Sequence, residues 1–267
     1  MIKKNRKLGG LRKSLKEYVH SYNQSAASGD TWKAKILFSL VDTYHRIKYY
    51  GRIAAGAELY CPLDIKIKRE LIGNREAPWC VASHTLHQGS AVYSFGVGTN
   101  ISFDIGLIEK LGCQVFAFDP TPRSIEWIRK QKIPAEFQFM AYGISDRDGV
   151  MMFYPPTNPD HVSFSTEAIQ ESKEGIELPV YRLQTIMEKL GHDTIDLLKI
   201  DIEGSEYGVI QDLLNSDVDV KQILVEFHHR FDRLNMEKTR EAIRALHSEG
   251  FKIFYISPNG EEYSFIR

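Results

Sequence analysis

Two apolar runs, the first ending in a glycine turn and the second in an acid, constrain the fold of this chain most. Residues 91–95 lead into Gly96 and Gly98, and residues 114–118 lead into Asp119. Asp119 follows Gly96 by 23 residues, close to the roughly 20 expected when one crossover helix separates two parallel strands. Glycines let the backbone approach a ligand, and an acid at the next strand tip accepts hydrogen bonds from ribose hydroxyls. The pattern therefore predicts a nucleotide-type ligand at the edge of a parallel sheet.

Length, charge and cysteine content narrow the class of protein. The 267 residues allow one large domain, or one domain with an extension, around a full hydrophobic core. A formal net charge of −1 argues against a nucleic-acid partner. No apolar run approaches the roughly 18 residues of a membrane span, and no signal-peptide core is expected at the N-terminus. The three cysteines are widely spaced and indicate neither a disulfide framework nor a zinc site. We therefore expect a cytoplasmic protein.

Residues 1–85 predict a helical N-terminal arm and an irregular connector. Apolar residues recur at helical spacing in the basic first twenty residues: Leu8, Leu11, Leu15 and Val19. A second stripe consists of Trp32, Ile36, Leu40, Tyr44 and Ile47. We expect the arm to pack on the core or on another subunit of a homo-oligomer. Contact of the basic arm with a membrane is the less favoured alternative.

Residues 86–267 predict a single α/β domain. Five short apolar runs predict strands buried on both faces, at residues 91–95, 114–119, 136–142, 195–201 and 222–227. Thr121 and Pro122 are a favourable helix start after the second strand. Residues 251–256 and 262–266 flank a Ser-Pro-Asn-Gly turn and predict a terminal hairpin. The predicted fold is a doubly wound, mostly parallel sheet with a C-terminal antiparallel β-hairpin.

Five ordered segments carry a family resemblance. They are YSFGVGTN (93–100), AFDPTPRS (117–124), LLKIDIEGSE (197–206), VEFHH (225–229) and EEYSF (261–265). Together they resemble the FkbM-type methyltransferase family. The resemblance implies a Rossmann-like class I methyltransferase fold and S-adenosylmethionine (SAM) as cofactor. It also implies O-methylation of a hydroxyl, commonly on a sugar, a glycan or a natural product, so the expected partner is a small-molecule or glycan acceptor.

One departure from the family pattern concerns the glycine turn. The usual first motif reads Asp-x-Gly-x-Asn-x-Gly, and here Gly96 stands in place of the Asp and Ser102 in place of the last Gly. The missing acid normally helps to orient the ammonium group of SAM. Asp104 lies one turn further on, where it could substitute for that acid or point elsewhere from its helix.

The resemblance also assigns cofactor contacts. Gly96, Gly98 and Asn100 are expected at the methionine end of SAM, and Phe95 is a further expected cofactor contact. Asp119 is expected at the ribose, with a helix-capping role as the alternative. After the third strand, Ser145 and Asp146 are candidates for the adenine, although Asp146 could equally cap a tight turn.

The tips of the fourth and fifth strands supply the candidate catalytic residues Asp201, Glu226 and His228. Lys199, Asp201 and Glu203 alternate, so their side chains should leave one face of the strand tip. Asp201, Glu226 and His228 could together hold Mg²⁺, which would lower the pKa of an acceptor hydroxyl. Without a metal, His228 or Asp201 would take the proton as a general base. The sequence leaves both mechanisms open.

The remaining predictions concern a surface segment and the rival classes of function. Residues 150–154 predict an extra strand, and the proline-rich and polar residues after it predict a surface segment that could recognise the acceptor or have no role. An NAD(P)-binding oxidoreductase is a rival, disfavoured by the incomplete glycine fingerprint. A SAM-binding scaffold protein without turnover is another, which the Gly96 departure allows.

Overall fold

The computed structural model describes residues 31–75, 77–154, 175–230 and 236–267, with side chains of the first helix described from residue 39. The predicted stripe of residues 8–19, the side chains of Trp32 and Ile36, and the predicted surface segment at 155–174 lie outside the described residues. No helix in the described part of the chain is long and apolar enough to cross a membrane.

Helices and strands alternate along most of the described chain. In order they are α1 (Thr31–Ala54), β1 (Glu70–Ile72), β2 (Trp79–Val81), β3 (Ala91–Phe95), α2 (Ser102–Leu111), β4 (Gln114–Phe118), α3 (Pro122–Ile128), β5 (Phe137–Met140), β6 (Gly143–Ile144), β7 (Gly149–Phe153), β8 (Ile176–Tyr181), α4 (Leu183–Leu190), β9 (Thr194–Ile200), α5 (Glu206–Leu214), β10 (Asp219–Glu226), α6 (Met236–Ser248), β11 (Lys252–Ile256) and β12 (Glu262–Ile266). The predicted strand at Ala91–Phe95 is observed with the same bounds.

Seven strands form the central sheet, in the order β11-β12-β10-β9-β3-β4-β5. Neighbouring strands from β10 to β5 pair in parallel. In contrast, β12 pairs antiparallel with both β10 and β11, so the last strand inserts between them as the second arm of a terminal hairpin. This confirms the predicted Rossmann-like, mostly parallel sheet with a C-terminal antiparallel hairpin.

The central strands are buried on both faces, as their continuous apolar runs predict. Side chains of β3 alternate between two hydrophobic clusters, with Tyr93 and Phe95 in one and Val92 in the other. Helices α4, α5 and α6 contribute to the first cluster, and α2 and α3 contribute to the second. The sheet is therefore covered by helices on both faces.

The parallel register brings the carboxyl ends of four strands to one edge of the sheet. Phe95 pairs with Phe118 and with Ile200, and Ile200 pairs with Val225. The residues that follow these strand ends are Gly96, Asp119, Asp201 and Glu226. The sheet itself therefore places the predicted ligand-binding and catalytic residues side by side.

Some elements differ from the sequence expectations. The connector, expected to be irregular, contains the antiparallel hairpin of β1 and β2, whose strands of three residues are too short to show a periodic pattern. The predicted extra strand is observed as β7, and it joins β6 and β8 in a separate three-stranded sheet. Helix α4 was not predicted, although it buries Leu183, Ile186 and Met187.

The apolar stripe of α1 is only partly covered by the described residues. Leu40 and Ile47 are 61% and 67% exposed, so they do not pack on the described core. Tyr49 anchors the helix instead, because it is buried and its hydroxyl donates a hydrogen bond to the carbonyl of Leu59 at 2.9 Å. Packing of the stripe on a second subunit stays a prediction.

A buried ionic network joins the connector to the segment after β10. The carboxylate of Glu58 is fully buried and contacts His229 Nε2 at 2.5 Å, Arg230 at 2.6 Å and Arg52 at 3.2 Å. Burial acts to raise the pKa of Glu58, but the hydrogen bonds and charges of His229 and Arg230 outweigh it and lower the pKa to about 2. The network therefore fixes the chain next to the tip of β10.

Replacing Glu58 tests how much this network contributes to folding stability. We expect Glu58→Ala to lower the free energy of unfolding by about 3–5 kcal/mol, because it removes the buried carboxylate that pairs with the buried His229 and with Arg230. Urea unfolding of the variant and the wild type measures the loss. The control is Glu70→Ala, which removes an exposed ion pair with Lys110 and should cost less than about 1 kcal/mol. Equal losses in the two variants would contradict a special role for Glu58.

The pH dependence of folding stability provides a second test of the network around Glu58. The folded-state pKa of Glu58 lies below the ordinary value of 4.5. Its contribution to stability should therefore be complete above that value and should disappear as the pH falls toward about 2. Stability measured between these pH values should decline less steeply in Glu58→Ala than in the wild type.

Candidate functional site

A cavity of about 470 Å³ lies at the edge where the carboxyl ends of the parallel strands meet. Most of the predicted site residues line it: Phe95, Gly96, Gly98, Asn100, Asp119, Asp201 and Glu226. The rings of Phe95 and Phe118 stack beside it, with centroids 4.3 Å apart. The structure therefore brings the glycine turn, the predicted ribose-binding acid and two predicted catalytic acids to one place.

The glycine turn is shaped by the close approach of two strand tips. Gly96 has φ = +75°, and a Cβ on this residue would overlap the carbonyl oxygen of Asp201. Gly98 also has a positive φ, of +54°, but a Cβ there would meet no atom within 4 Å. Position 96 therefore excludes every side chain, including the acid of the usual family motif.

A matched pair of substitutions separates the overlap from backbone strain. Both Gly96→Ala and Gly98→Ala place an L side chain at positive φ, which costs roughly 1–2 kcal/mol. We expect Gly98→Ala to lose about that much stability, and Gly96→Ala to lose considerably more or to fail to fold. Urea unfolding measures both. Similar losses would show that Asp201 does not restrict position 96.

Asp119 makes the contacts of the helix-capping role that the sequence offered as one alternative, and its contact with a ribose stays a prediction. Its Oδ1 accepts hydrogen bonds from the backbone N–H of Thr121 at 2.9 Å and from the hydroxyl of Thr121 at 2.6 Å. Its Oδ2 accepts a hydrogen bond from the backbone N–H of Gly98 at 2.9 Å. Asp119 therefore stabilises the start of α3 and the glycine turn while its carboxylate lines the cavity.

The hairpin of β1 and β2 supplies part of the cavity wall. Ala77 and Trp79 line the cavity, and the Trp79 ring lies 6.3 Å from the ring of Phe103. The backbone N–H of Asn74 donates to the hydroxyl of Ser102 at 2.8 Å. The connector thus contributes to the site directly.

Lys199 is buried below the glycine turn. Its Nζ donates hydrogen bonds to the carbonyls of Phe95 and Gly96 at 3.2 and 3.1 Å, and lies 3.4 Å from the carboxylate of Asp201. The ammonium group also sits 5.1 Å from the centre of the Trp79 ring. Lys199 therefore joins the tips of β3 and β9 and orients Asp201.

His228 does not line the cavity but lies against its acidic wall. Its Nε2 is 3.5 Å from Glu203 and 3.9 Å from both Asp201 and Glu226. Its Nδ1 faces the buried carboxylate of Glu206 at 3.3 Å, and its backbone N–H donates to that carboxylate at 2.8 Å. Glu206 therefore sets the orientation of the imidazole ring.

The acids and the imidazole shift the pKa values of one another. Burial acts to lower the pKa of His228, but Glu206, Glu203 and Asp201 outweigh it and raise the pKa to about 10. Burial and the charge of Asp201 raise the pKa of Glu226 to about 9. At neutral pH His228 therefore carries its proton and Glu226 is protonated.

One group of side chains in the described part of the chain has the spacing of a metal site. Ligand atoms of Asp201, Glu203 and His228 all lie within 4.8 Å of one another. Glu203 was noted in the sequence through its alternation with Asp201, but it was not among the predicted ligands, and Glu226 is not in this group. The observed group therefore contains Glu203 where the sequence predicted Glu226 as a metal ligand.

Ser145 and Asp146 do not line the cavity. Ser145 is buried and its hydroxyl lies 3.0 Å from Oδ1 of Asp146, which is exposed. This arrangement agrees with the local turn that the sequence offered as the alternative for Asp146. Contact of these two residues with an adenine stays a prediction.

Several aromatic residues of the cavity were not predicted. Trp79, Phe103 and Phe153 line it from β2, α2 and β7. Trp79 and Phe153 come from strands outside the central sheet, so no spacing relative to the glycine turn could have found them. Phe103 sits in the first turn of α2, directly after the family motif.

Comparisons with known proteins agree with the family resemblance. The family model for the methyltransferase FkbM domain matches residues 94–253. "Probable methyltransferase-like protein 24" of Rattus norvegicus is 22% identical over 175 residues, covering 61% of this chain and 42% of that protein. "31-O-demethyl-FK506 methyltransferase FkbM" of Streptomyces tacrolimicus is 25% identical over 220 residues, covering 69% of this chain and 80% of that protein. The chain therefore spans less than half the length of the rat relative.

The fold is similar to those of solved methyltransferase-type structures at low sequence identity. The fibrillarin pre-rRNA processing protein of Methanococcus jannaschii aligns with 12% identity and a TM-score of 0.42. The alignment covers 68% of this chain and 67% of that protein.

Proposed function

The chain belongs to the FkbM methyltransferase family, and from this premise we propose that it transfers the methyl group of SAM to a hydroxyl of a sugar, glycan or natural product. The observation that carries the proposal is the meeting of the glycine turn, Asp119 and Asp201 at one cavity. A glycine turn and acids at the carboxyl ends of parallel strands lie where open α/β sheets bind their ligands, which supports the proposal.

The donors and acceptors of the cavity fit SAM. The carboxylate of Asp119 is available to ribose hydroxyls, and the backbone of Gly96 and Gly98 permits close approach of the methionine end. When bound, SAM supplies a methyl group on a positively charged sulfur, which an oxygen nucleophile can attack. The acidic wall formed by Asp201 and Glu203 favours a cationic centre nearby.

Asp201 is the proposed general base. An unassisted hydroxyl is a poor nucleophile near neutral pH, so a residue of the protein must take its proton as the oxygen–carbon bond forms and the carbon–sulfur bond breaks. Asp201 lines the cavity, its side chain is 25% exposed, and Lys199 orients it. His228 already carries a proton, because its pKa is raised to about 10. Its role in this mechanism is to position Asp201 and the neighbouring acids.

A divalent cation is the alternative device for activating the hydroxyl. Asp201 and Glu203 would hold it, together with His228 once the imidazole has lost a proton, and a hard cation such as Mg²⁺ prefers the two carboxylates. The contact of His228 Nδ1 with Glu206 resembles the outer contacts that orient metal-bound histidines. Such a cation would supply Lewis acidity at the acceptor oxygen.

Calorimetry with SAM, S-adenosylhomocysteine (SAH) and NAD tests the class of cofactor. We expect binding of SAM and SAH, and Asp119→Ala should weaken it by about 1–3 kcal/mol, because a charged acceptor of ribose hydrogen bonds is lost. Asp196→Ala is the control, since it removes a buried acid at the other end of the sheet. Binding of NAD in place of SAM and SAH would overturn the proposal in favour of an oxidoreductase.

Mass spectrometry of candidate acceptors incubated with labelled SAM tests turnover. A gain of one methyl group on a sugar, glycan or natural-product hydroxyl is expected. Binding of SAM without methylation of any acceptor would favour the scaffold alternative.

Replacement of Asp201 tests the catalytic assignment. Asp201→Asn should lower the methylation rate by about 10²–10⁴-fold, with a smaller effect on SAM affinity. The control is Asp196→Asn, which changes an acid at the opposite end of the same strand. A normal rate in Asp201→Asn would place the base elsewhere.

Chelation separates the two mechanisms. With Asp201 as general base, activity should not change in EDTA. With a metal, EDTA should abolish activity and added Mg²⁺ should restore it.

A further inference from the structure

The carboxylate of Asp104 is buried, and one of its oxygen atoms lacks a well-formed hydrogen bond. Asp104 lies in the first turn of α2, lines the cavity and is 2% exposed. Its Oδ1 is buried without a well-formed hydrogen bond among the described residues, and the side chain of Ser94 lies close to the carboxylate. A buried acceptor without a donor costs free energy that a ligand donor can recover. The position therefore points to a ligand group that donates hydrogen bonds.

The ammonium group of Lys199 makes its hydrogen bonds to acceptors other than Asp104. Lys199 Nζ donates to the carbonyls of Phe95 and Gly96 and lies 3.4 Å from Asp201. Burial raises the pKa of Asp104 to about 6, and the charge of Lys199 lowers the pKa less than burial raises it. Lys199 thus does not fully compensate the carboxylate. A second cation at the cavity wall would favour its ionised form.

The glycine turn has no room for an acid of its own. A Cβ at Gly96 would overlap the carbonyl of Asp201, so the position where the family motif carries an acid must remain glycine in this backbone. Asp104 follows that position by eight residues. Both residues line the same cavity. A carboxylate is therefore still present at the turn, supplied from the helix instead of from the strand tip.

We propose that Asp104 binds the ammonium group at the methionine end of SAM. The assignment rests on the proposed function, because it requires that SAM occupies this cavity. An ammonium group carries three N–H donors and one positive charge. It can therefore satisfy the unused oxygen of Asp104 and balance its charge in a single contact. Charge-assisted hydrogen bonds of this kind are stronger than neutral ones.

A deaminated ligand tests the proposal on the wild-type protein, without any variant. Calorimetry compares SAH with its analogue in which hydrogen replaces the amino group. We expect the wild type to bind SAH about 10- to 100-fold more tightly than the analogue. Equal affinities would overturn the Asp104 assignment while leaving the proposed function intact. Binding of neither ligand would overturn the proposed function itself.

The Asp104→Asn variant then assigns the preference to this side chain. We expect its affinity for SAH to fall to about that of the analogue, with the affinity for the analogue changed less than about two-fold. Asp196→Asn is the control for loss of a buried acid, because Asp196 is also buried but lies at the other edge of the sheet. An unchanged affinity for SAH, or equal weakening of both ligands, would overturn the proposal.

Discussion

The contact between the tips of β3 and β9 is the constraint on which the rest of the site depends. The backbone carbonyl of Asp201 occupies the space that a side chain at Gly96 would need. Lys199, two residues before Asp201, donates to the carbonyls of Phe95 and Gly96 and closes the same junction from below. The two strand tips are therefore held together. This contact sets the position of the glycine turn, which Asp119 also stabilises, relative to the carboxylate of Asp201.

This junction also determines where charge can be placed. Because position 96 cannot carry an acid, the carboxylates of the cavity come from α2 at Asp104 and from the tips of β4, β9 and β10. On the side of β9 and β10 they gather around His228, whose pKa is raised to about 10 mainly through Glu206 against the effect of burial. Carboxylates therefore stand on two walls of the cavity, at Asp104 on one and at Asp201 and Glu203 on the other.

The sequence was informative where a local pattern and the sheet geometry determine the same feature. Residues 91–95 are a continuous apolar run bounded by a glycine, and β3 has those bounds. Asp119 and Asp201 each follow an apolar run directly, so the parallel register alone brings them together. The positions of these residues could be predicted because they depend only on where each strand ends and on the order of the strands in the sheet.

Contacts made across the fold could not be predicted in this way. The carboxylate of Glu206 faces His228, a pairing over 22 residues that depends on the packing of α5 beside β10. An acid in the first turn of a helix normally complements the helix dipole, so the position of Glu206 in the chain does not predict a pairing with an imidazole. Trp79 lies in a strand of three residues that has no periodic pattern. Asp104 could be noted as an acid, but whether it faces the cavity depends on the rotation of α2.

The hairpin of β1 and β2 shows that the site extends beyond the family-matched segment. The match begins at residue 94, whereas Ala77 and Trp79 already line the cavity. The side chain of Gln222, within β10, bonds to the backbone of Ala82 and to the hydroxyl of Thr85. The hydroxyl of Ser264 on β12 donates to the carbonyl of Cys80 at 2.8 Å. Two strands of the central sheet thus hold the hairpin in place, and a chain cut at the predicted boundary between residues 85 and 86 would lose the wall next to Lys199 and expose its ammonium group to water.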